Sequence, residues 1–264
     1  MIIHTIRHRI PAGVSLLSLA LVTVLEPAVL YAQGGPPMLT DDPGTPGNGN
    51  WEINLAYIEE RNKLDQISSF PHIDVNYGLG ESIQLKFETG WVFANLADGG
   101  SRSGLDDSLV GLKWRFLDQS KTGLNMSVYP QLTVENSTGS AARGIAPPGP
   151  NLLLPVEVSR DFGKLQVVGE VGYEVMRSAE NEWVLGILGA LAVSERLELL
   201  SEVHITGPKL FSESDVILNF GFRQELTPHL KLLASAGTGV NNGPNRTSFI
   251  AYLGIQVLFG EEKH

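Results

Sequence analysis

The chain has 264 residues, of which 42% are apolar and 18% are charged, and its formal net charge is −10. This composition fits one soluble domain, two small ones or a β-barrel of moderate size, so it does not choose a fold class. The acidic balance argues against nucleic acid as a partner and against docking on an anionic membrane surface. The chain has no cysteine, which excludes disulfides and a lipid-modified N-terminal cysteine.

The first 32 residues have the features of a secretory signal peptide. A positive segment at 7–9 precedes an apolar segment at 14–24, and the small residue Ala32 offers a cleavage site. A retained membrane anchor is the alternative, but the apolar run is only about half of the roughly 20 residues that a spanning helix needs. We therefore expect residues 1–32 to be removed on export. No later stretch reaches the apolar length of a helical span.

Residues 33–50 form a lead-in segment that is rich in proline and glycine. Such a composition holds neither a helix nor a central strand. Within it, Asp41 and Asp42 offer carboxylate oxygens to a cation, but calcium needs about six to eight ligands and acidic pairs are common in turns. We expect no metal site and no cofactor in this protein.

From Trp51 onward the side chains alternate with a period of two, which places them on opposite faces of β-strands. In segment 83–93, for example, the apolar Leu85 and Phe87 share one face, and the charged Lys86 and Glu88 share the other. Segments of this kind are about ten residues long, which is the length that a tilted strand needs to cross a bilayer. The twelve segments are 51–60, 70–79, 83–93, 106–117, 124–135, 152–161, 165–176, 183–193, 197–206, 215–225, 230–239 and 248–259.

The connections between the segments alternate in length. Short turns lie at 80–82, 118–123, 162–164, 194–196 and 226–229, and longer polar loops lie at 61–69, 94–105, 136–151, 177–182, 207–214 and 240–247. Short periplasmic turns and longer external loops are typical of outer-membrane barrels. The pattern predicts an all-β fold over residues 51–264, an up-and-down antiparallel transmembrane β-barrel of about twelve strands with periplasmic N- and C-termini.

A secreted β-sandwich or an eight-stranded lipocalin-like barrel is the alternative fold, since hydropathy alone does not tell which face of a strand looks inward. The strand count favours the outer-membrane barrel. So do the aromatic residues near the strand ends, because the interfaces of such barrels carry aromatic girdles. These residues are Trp51, Tyr57, Trp91, Phe93, Trp183 and Phe259.

The segment at 39–52, Leu-Thr-Asp-Asp-Pro-Gly-Thr-Pro-Gly-Asn-Gly-Asn-Trp-Glu, resembles the lead-in of a family of outer-membrane transporters associated with the meta-pathway of phenol degradation. That family begins its mature domain with a similar Leu-Thr-Asp-Asp run, followed by glycine-rich residues and the first strand. The resemblance implies an outer-membrane channel or uptake protein for small, often aromatic, molecules. It supplies no binding residues. One departure is the tail at 260–264, since such barrels often end on an aromatic residue that the assembly machinery reads.

Charged residues on the polar face of the strands define the candidate site. We expect a basic cluster near the periplasmic end of the lumen and an acidic cluster nearer to mid-height. One interpretation is a salt-bridge network that stiffens a narrow barrel, and the other is a permeation path whose basic ring favours anions locally. The basic cluster comprises Lys86, Lys113, Arg115, Arg223 and Lys231, and the acidic cluster comprises Glu88, Glu157, Glu170 and Glu202.

The sequence therefore predicts a monomeric channel or uptake porin of the bacterial outer membrane for small molecules. A structural or surface-binding barrel with a filled lumen and no transport is the alternative. The expected partners are a small solute, outer-membrane lipid and the outer-membrane assembly machinery. No serine and histidine pair is expected at cross-strand spacing on the lipid face, so we expect no enzymatic activity. The lead-in should lie at the periplasmic mouth or enter the lumen as a partial plug.

Overall fold

The computed structural model describes residues 35–97, 99–136, 138–146, 149–209, 213–241, 243 and 246–260. The predicted signal peptide at 1–32 and the end of the tail at 261–264 lie outside these residues. Within the described part of the chain, no helix is long and apolar enough to cross a membrane. A single helical turn, α1 (Gln119–Thr122), begins after Asp118, whose carboxylate caps it by accepting the Ser120 backbone N–H at 2.9 Å.

The β-segments form one antiparallel sheet that closes on itself, because the first strand pairs with the last along its whole length. Closure leaves neither β1 nor β14 as a free edge of the sheet. The segments are β1 (Trp51–Arg61), β2 (Gln66–Leu79), β3 (Ile83–Asn95), β4 (Ser101–Leu105), β5 (Ser108–Leu117), β6 (Asn125–Val128), β7 (Gln131–Val134), β8 (Asn151–Phe162), β9 (Leu165–Met176), β10 (Glu182–Ala192), β11 (Leu197–Gly207), β12 (Asp215–Thr227), β13 (Leu230–Gly239) and β14 (Phe249–Phe259).

Two membrane-spanning strands are each interrupted once. Both β4 and β5 pair with β3, and both β6 and β7 pair with β5 and with β8. The second interruption falls at Pro130, which has no backbone N–H to donate to the ladder. The segments therefore make twelve spanning strands, and the predicted twelve-stranded up-and-down barrel is confirmed.

Strand boundaries follow the sequence pattern closely, with two exceptions. The strands at Leu165–Met176 and Leu230–Gly239 begin and end where predicted. The connections expected at 61–69 and 94–105 are shorter, because β2 begins at Gln66 and β4 occupies Ser101–Leu105. These added residues are largely polar, which is why the pattern predicts loops there. Backbone pairing does not depend on apolar side chains, so the ladder continues past the apolar part of the strand.

The apolar face of the strands points outward and the polar face points inward. On β12, the side chain of Phe220 is 64% exposed, while its neighbour Asn219 is fully buried; on β10, Ile187 is 65% exposed. Soluble chains do not expose a continuous apolar surface of this extent, whereas lipid covers it in a transmembrane barrel. The protein is thus an outer-membrane β-barrel, and the sandwich and eight-stranded alternatives are wrong.

Aromatic residues gather at both rims of the barrel. Trp51 stacks on Phe259 with ring centroids 6.2 Å apart, next to the start of the first strand and the end of the last. At the opposite rim, Trp183 meets Tyr173 edge to face at 4.9 Å. Both rims thus carry the aromatic residues that outer-membrane barrels place at the lipid interface. The rim where the first strand begins, the last strand ends and the short turns lie is called the periplasmic rim, and the rim with the longer loops is called the external rim.

Candidate functional site

Residues 35–42 of the lead-in lie inside the barrel, and we call this stretch the plug. Its backbone folds back on itself, since Gly35 N donates to Thr40 O at 2.9 Å and Met38 N donates to Gly35 O at 3.0 Å. Gly35 has a φ of 72°, in the left-handed region that glycine adopts without strain. The plug is therefore a compact loop that presents most of its other N–H and C=O groups to the barrel wall.

Two members of the predicted acidic cluster bind the plug backbone. The two carboxylate oxygens of Glu202 on β11 accept the backbone N–H groups of Leu39 at 2.9 Å and Thr40 at 2.8 Å. Glu170 on β9 accepts the N–H of Asp41 at 3.0 Å. A buried loop outside any ladder needs acceptors for its N–H groups, and these two carboxylates supply them.

The backbone carbonyl oxygens of the plug accept hydrogen bonds from side chains of β12 and β13. Arg223 donates from Nη2 to the carbonyl oxygen of Gly35 and from Nε to that of Pro36, both at 2.9 Å. The Ser235 hydroxyl donates to the carbonyl of Pro37 at 2.7 Å. The planar guanidinium presents several donors in one plane, so a single arginine holds two successive carbonyls.

Lys113 on β5 joins the plug to the barrel wall by charge. Its Nζ lies 2.8 Å from Asp41 Oδ1, 3.4 Å from Glu157 Oε2 and 4.5 Å from the centre of the Tyr129 ring. It also donates to the backbone carbonyl of Asp42. The lysine side chain is only 1% exposed, so its charge is neutralised by these partners rather than by solvent.

The inner wall is shaped to receive the plug. Met38 packs against inward-facing apolar side chains of β9, β10 and β11, which are Val168, Leu188, Ala190 and Leu200. Two inward glycines make room beside it. A Cβ atom at Gly186 would lie 2.4 Å from Thr40 Oγ1, and one at Gly221 would lie 2.6 Å from Met38 Cε. Larger residues at either position would displace the plug or the wall.

The structure brings the two predicted clusters together as ion pairs. Lys86 Nζ lies 2.8 Å from Glu88 and 3.5 Å from Asp74, and Arg223 Nη1 lies 2.9 Å from Glu198. The sequence pattern predicts carboxylates and cations at separate heights, but buried like charges without partners would be too costly. Pairing within β3 for Lys86 and Glu88, and across neighbouring strands for the other two pairs, resolves this, so these cations are bound to carboxylates.

The remaining predicted cations lie closer to the periplasmic rim. Arg115 donates to the carbonyl of Glu81 at 2.7 Å and lies 3.7 Å from Asp118. Asp118 is outside the spanning strands, and hydrogen bonds from the hydroxyl and backbone N–H of Ser120 hold the pKa of its carboxyl below the usual value. Lys231 is in register with Glu225 on β12 and with Gln256 on β14.

Sequence reasoning missed several residues that hold the plug or its partners. Asp74 completes the ion pair of Lys86, and the alternation of β2 places it on the lumen face, so a pattern signal existed. Asn219 and Ser235 are short polar residues whose role depends on the plug being present. No local pattern could reveal those contacts, since even Asp41 and Glu170 are 129 positions apart in the chain.

The plug lies between two chambers of the lumen. The external chamber has a volume of about 400 Å³ and extends from the plug to Glu60, Glu174 and Thr206 near the external rim. The periplasmic chamber has a volume of about 640 Å³ and extends to Glu81 and Asp161. A void of about 30 Å³ beside the plug has room for roughly two water molecules. Plug residues line both chambers, Asp41 the external one and Asp42 the periplasmic one.

No protein-family model matches the chain, and no curated protein sequence matches it. Solved structures do match. An outer-membrane channel from Pseudomonas putida F1 superposes with a TM-score of 0.64 at 13% identity, over 84% of this chain and 100% of that one. The KdgM porin superposes with a TM-score of 0.55 at 11% identity, over 80% and 99% of the two chains. The NanC porin gives 0.55 at 9% identity, over 78% and 98%. At these identities the likeness concerns the fold, which this chain shares with outer-membrane channels.

Proposed function

We propose that the protein is an outer-membrane channel for small molecules and that displacement of the plug opens it. The observation that carries this proposal is the pair of chambers on either side of the plug. Most plug contacts are hydrogen bonds and ion pairs, which exchange with water at a net cost of about 1 kcal/mol each when neutral and roughly 2 kcal/mol when charged. Movement of this short loop would therefore join the two chambers into one path.

Hydrophobic or aromatic compounds are the solutes that we propose. The lead-in resembles that of transporters associated with phenol degradation. The external chamber also supports this choice, because apolar side chains line it beside the charged ones. A mixed lining of this kind lets a ring pack against the wall while a polar group is bound. The apolar residues include Ile58, Leu109, Leu153, Val184 and Ile250.

A structural barrel with a filled lumen is the second candidate, and the burial of the plug contacts favours it. Lys113, Glu202 and Arg223 are all nearly inaccessible to solvent. In that case the external loops would make the functional contacts. The longest of them, at 135–150, is anchored by Ile145, which packs against Val92 and Ala94 of β3.

We also propose that the protein is exported by its signal peptide, inserted by the outer-membrane assembly machinery and active as a monomer without enzymatic activity. The closed sheet supports the monomer, since the first strand pairs with the last and closure needs no strand from a second copy.

Single-channel recording in planar bilayers separates the two candidate functions. The full mature protein should conduct weakly with rare openings, and deletion of residues 33–47 should raise its conductance several-fold. The point variant Arg223→Gln, which loosens the plug in the intact chain, should raise the open fraction in the same direction. Arg196→Gln, in a periplasmic turn away from the plug, is the control. Silent membranes with both plug variants, in barrels that fold normally, would favour the filled barrel.

A further inference from the structure

The lumen has more hydrogen-bond acceptors than donors. Among the described residues, ten buried side-chain atoms have no hydrogen-bond partner; seven are carboxylate or amide oxygens, three are hydroxyls, and none is a nitrogen. Carboxylate and amide oxygens only accept, so they are satisfied only by a donor that comes from elsewhere. A ligand that brings N–H groups therefore matches this lumen better than one that brings further acceptors.

Three acceptor side chains, those of Glu170, Glu202 and Asn219, lie together where the plug is bound. Asn219 Nδ2 donates to Glu202 Oε1 at 2.8 Å, while Asn219 Oδ1 is buried and has no partner among the described residues. Glu202 and Glu170 together accept three successive backbone N–H groups of the plug. The plug occupies this site with N–H donors, so the site binds donor groups.

The nearby cations are paired with other carboxylates. Lys86 is bonded to Glu88 and Asp74, and Lys113 to Asp41 and Glu157. Arg223 is paired with Glu198 and holds plug carbonyls. An anionic solute that reached this height would meet Glu170 and Glu202 beside cations that already have carboxylate partners. A cationic solute at the same height would be attracted by the carboxylates of Glu170 and Glu202.

We propose that Glu170, Glu202 and Asn219 form a binding site for a small molecule with an apolar body and a protonated amine, which competes with the plug for these acceptors. This inference rests on the proposed channel function. An ammonium group carries three N–H donors and so replaces the three plug N–H groups one for one. The external chamber, which Glu170 lines, adds apolar walls for the body of the ligand. It also includes Tyr252, which is 9% exposed and whose hydroxyl has no partner among the described residues.

Three probes of similar size test the proposal on the full mature protein. Benzylammonium, benzyl alcohol and benzoate differ in carrying three donors, one donor and none. Each is added at equal concentration to the external side of a planar bilayer, and its entry into proteoliposomes is measured in parallel. We expect benzylammonium to raise the open fraction, and to enter, about tenfold more than benzoate, since charged hydrogen bonds to the two carboxylates favour it. Benzyl alcohol should fall between them.

Glu202→Gln is the matched variant, because it keeps the size of the side chain and removes its charge. It should lose most of the preference for benzylammonium over benzoate. Glu174→Gln is the control, since Glu174 lines the same chamber without a hydrogen bond or ion pair to the described plug residues. It should keep the preference.

The outcomes separate the two levels of the proposal. Equal responses of the unsubstituted protein to all three probes would overturn the amine site and leave the channel function standing. The amine site would also be overturned if Glu202→Gln opened the channel but kept the preference. If no probe entered through either the unsubstituted protein or the variant lacking residues 33–47, the channel function would fail, and the amine site with it.

Discussion

The ammonium group of Lys113 lies between two carboxylates that would otherwise repel each other, 2.8 Å from Asp41 of the plug and 3.4 Å from Glu157 of the wall. Glu157 is fully buried, so it has no solvent to screen its charge. The barrel wall and the plug therefore share one cation, which stabilises a carboxylate on each of them.

Replacement of that cation should destabilise the protein and release the plug. Lys113→Met leaves Asp41 and Glu157 without this partner, and loss of one member of a buried ion pair costs about 3–5 kcal/mol. We expect the free energy of unfolding in liposomes, measured by urea titration, to fall by that amount and the open fraction in bilayers to rise. Lys121→Met on the exposed turn α1 should change neither. Unaltered stability of Lys113→Met would contradict the assigned role of the pair.

A side chain at Gly186 should displace the plug without opening the barrel wall. The Cβ atom alone would come within 2.4 Å of Thr40, and Gly186→Val adds two methyl groups to it. We expect normal folding, measured by the gel shift between heated and unheated protein, together with a several-fold higher conductance. Gly189→Val is the control on the same strand, because the nearest atom to its Cβ lies 3.8 Å away. If Gly186→Val and Gly189→Val conducted alike, contact between the new side chain and the plug would not explain the conductance.

A charge on the outer face of β12 should weaken folding into lipid. Phe220 lies near the middle of the strand and its side chain is exposed. Phe220→Arg should make folding into liposomes less favourable by about 2–4 kcal/mol, which is the cost of a cation at the bilayer midplane. Phe220→Leu at the same position should cost far less. Similar losses for both variants would mean that this face does not contact lipid.

Arg115 should influence ion selectivity. Lys113 should not, because it is buried and its charge is neutralised by its carboxylate partners. Arg115 lines the periplasmic chamber among Asp42, Glu81, Asp118 and Asp161. Arg115→Gln removes a positive charge from that chamber, so the reversal potential in a potassium chloride gradient should shift toward cation preference. Lys121→Gln, outside the chamber, should leave it unchanged. A shift toward anions would refute the assignment.

The barrel was predictable because the two faces of a transmembrane strand differ in polarity at every second residue. Alternation over 83–93 corresponds to β3, with Lys86 and Glu88 inside and Phe87 outside. The interruption at Pro130 has a weaker signal, since one proline among alternating residues also fits a strand end. The backbone ladder of a strand can continue past its apolar part. For this reason β2 and β4 extend into the predicted loops.

The plug contacts could not be predicted from the residues. Leu39 and Glu202 are separated by 163 positions, and a carboxylate on a lumen face fits an ion pair, a solute or a loop equally well. From the sequence, Glu170 and Glu202 are therefore grouped only by charge and height. Their partners are set by the path of an irregular segment, which no period describes.

The distribution of plug partners over the wall makes the plug a reporter of correct assembly. Lys113 lies on β5, Glu170 on β9, Glu202 on β11 and Arg223 on β12, so the full set of contacts exists only after these strands have joined one closed sheet. A slip of one residue in a strand would turn its carboxylate or guanidinium toward lipid and remove it from the set. Protection of residues 35–42 from protease would then distinguish barrels with the correct strand register from closed barrels with a shifted register. The gel shift between heated and unheated protein alone does not make this distinction.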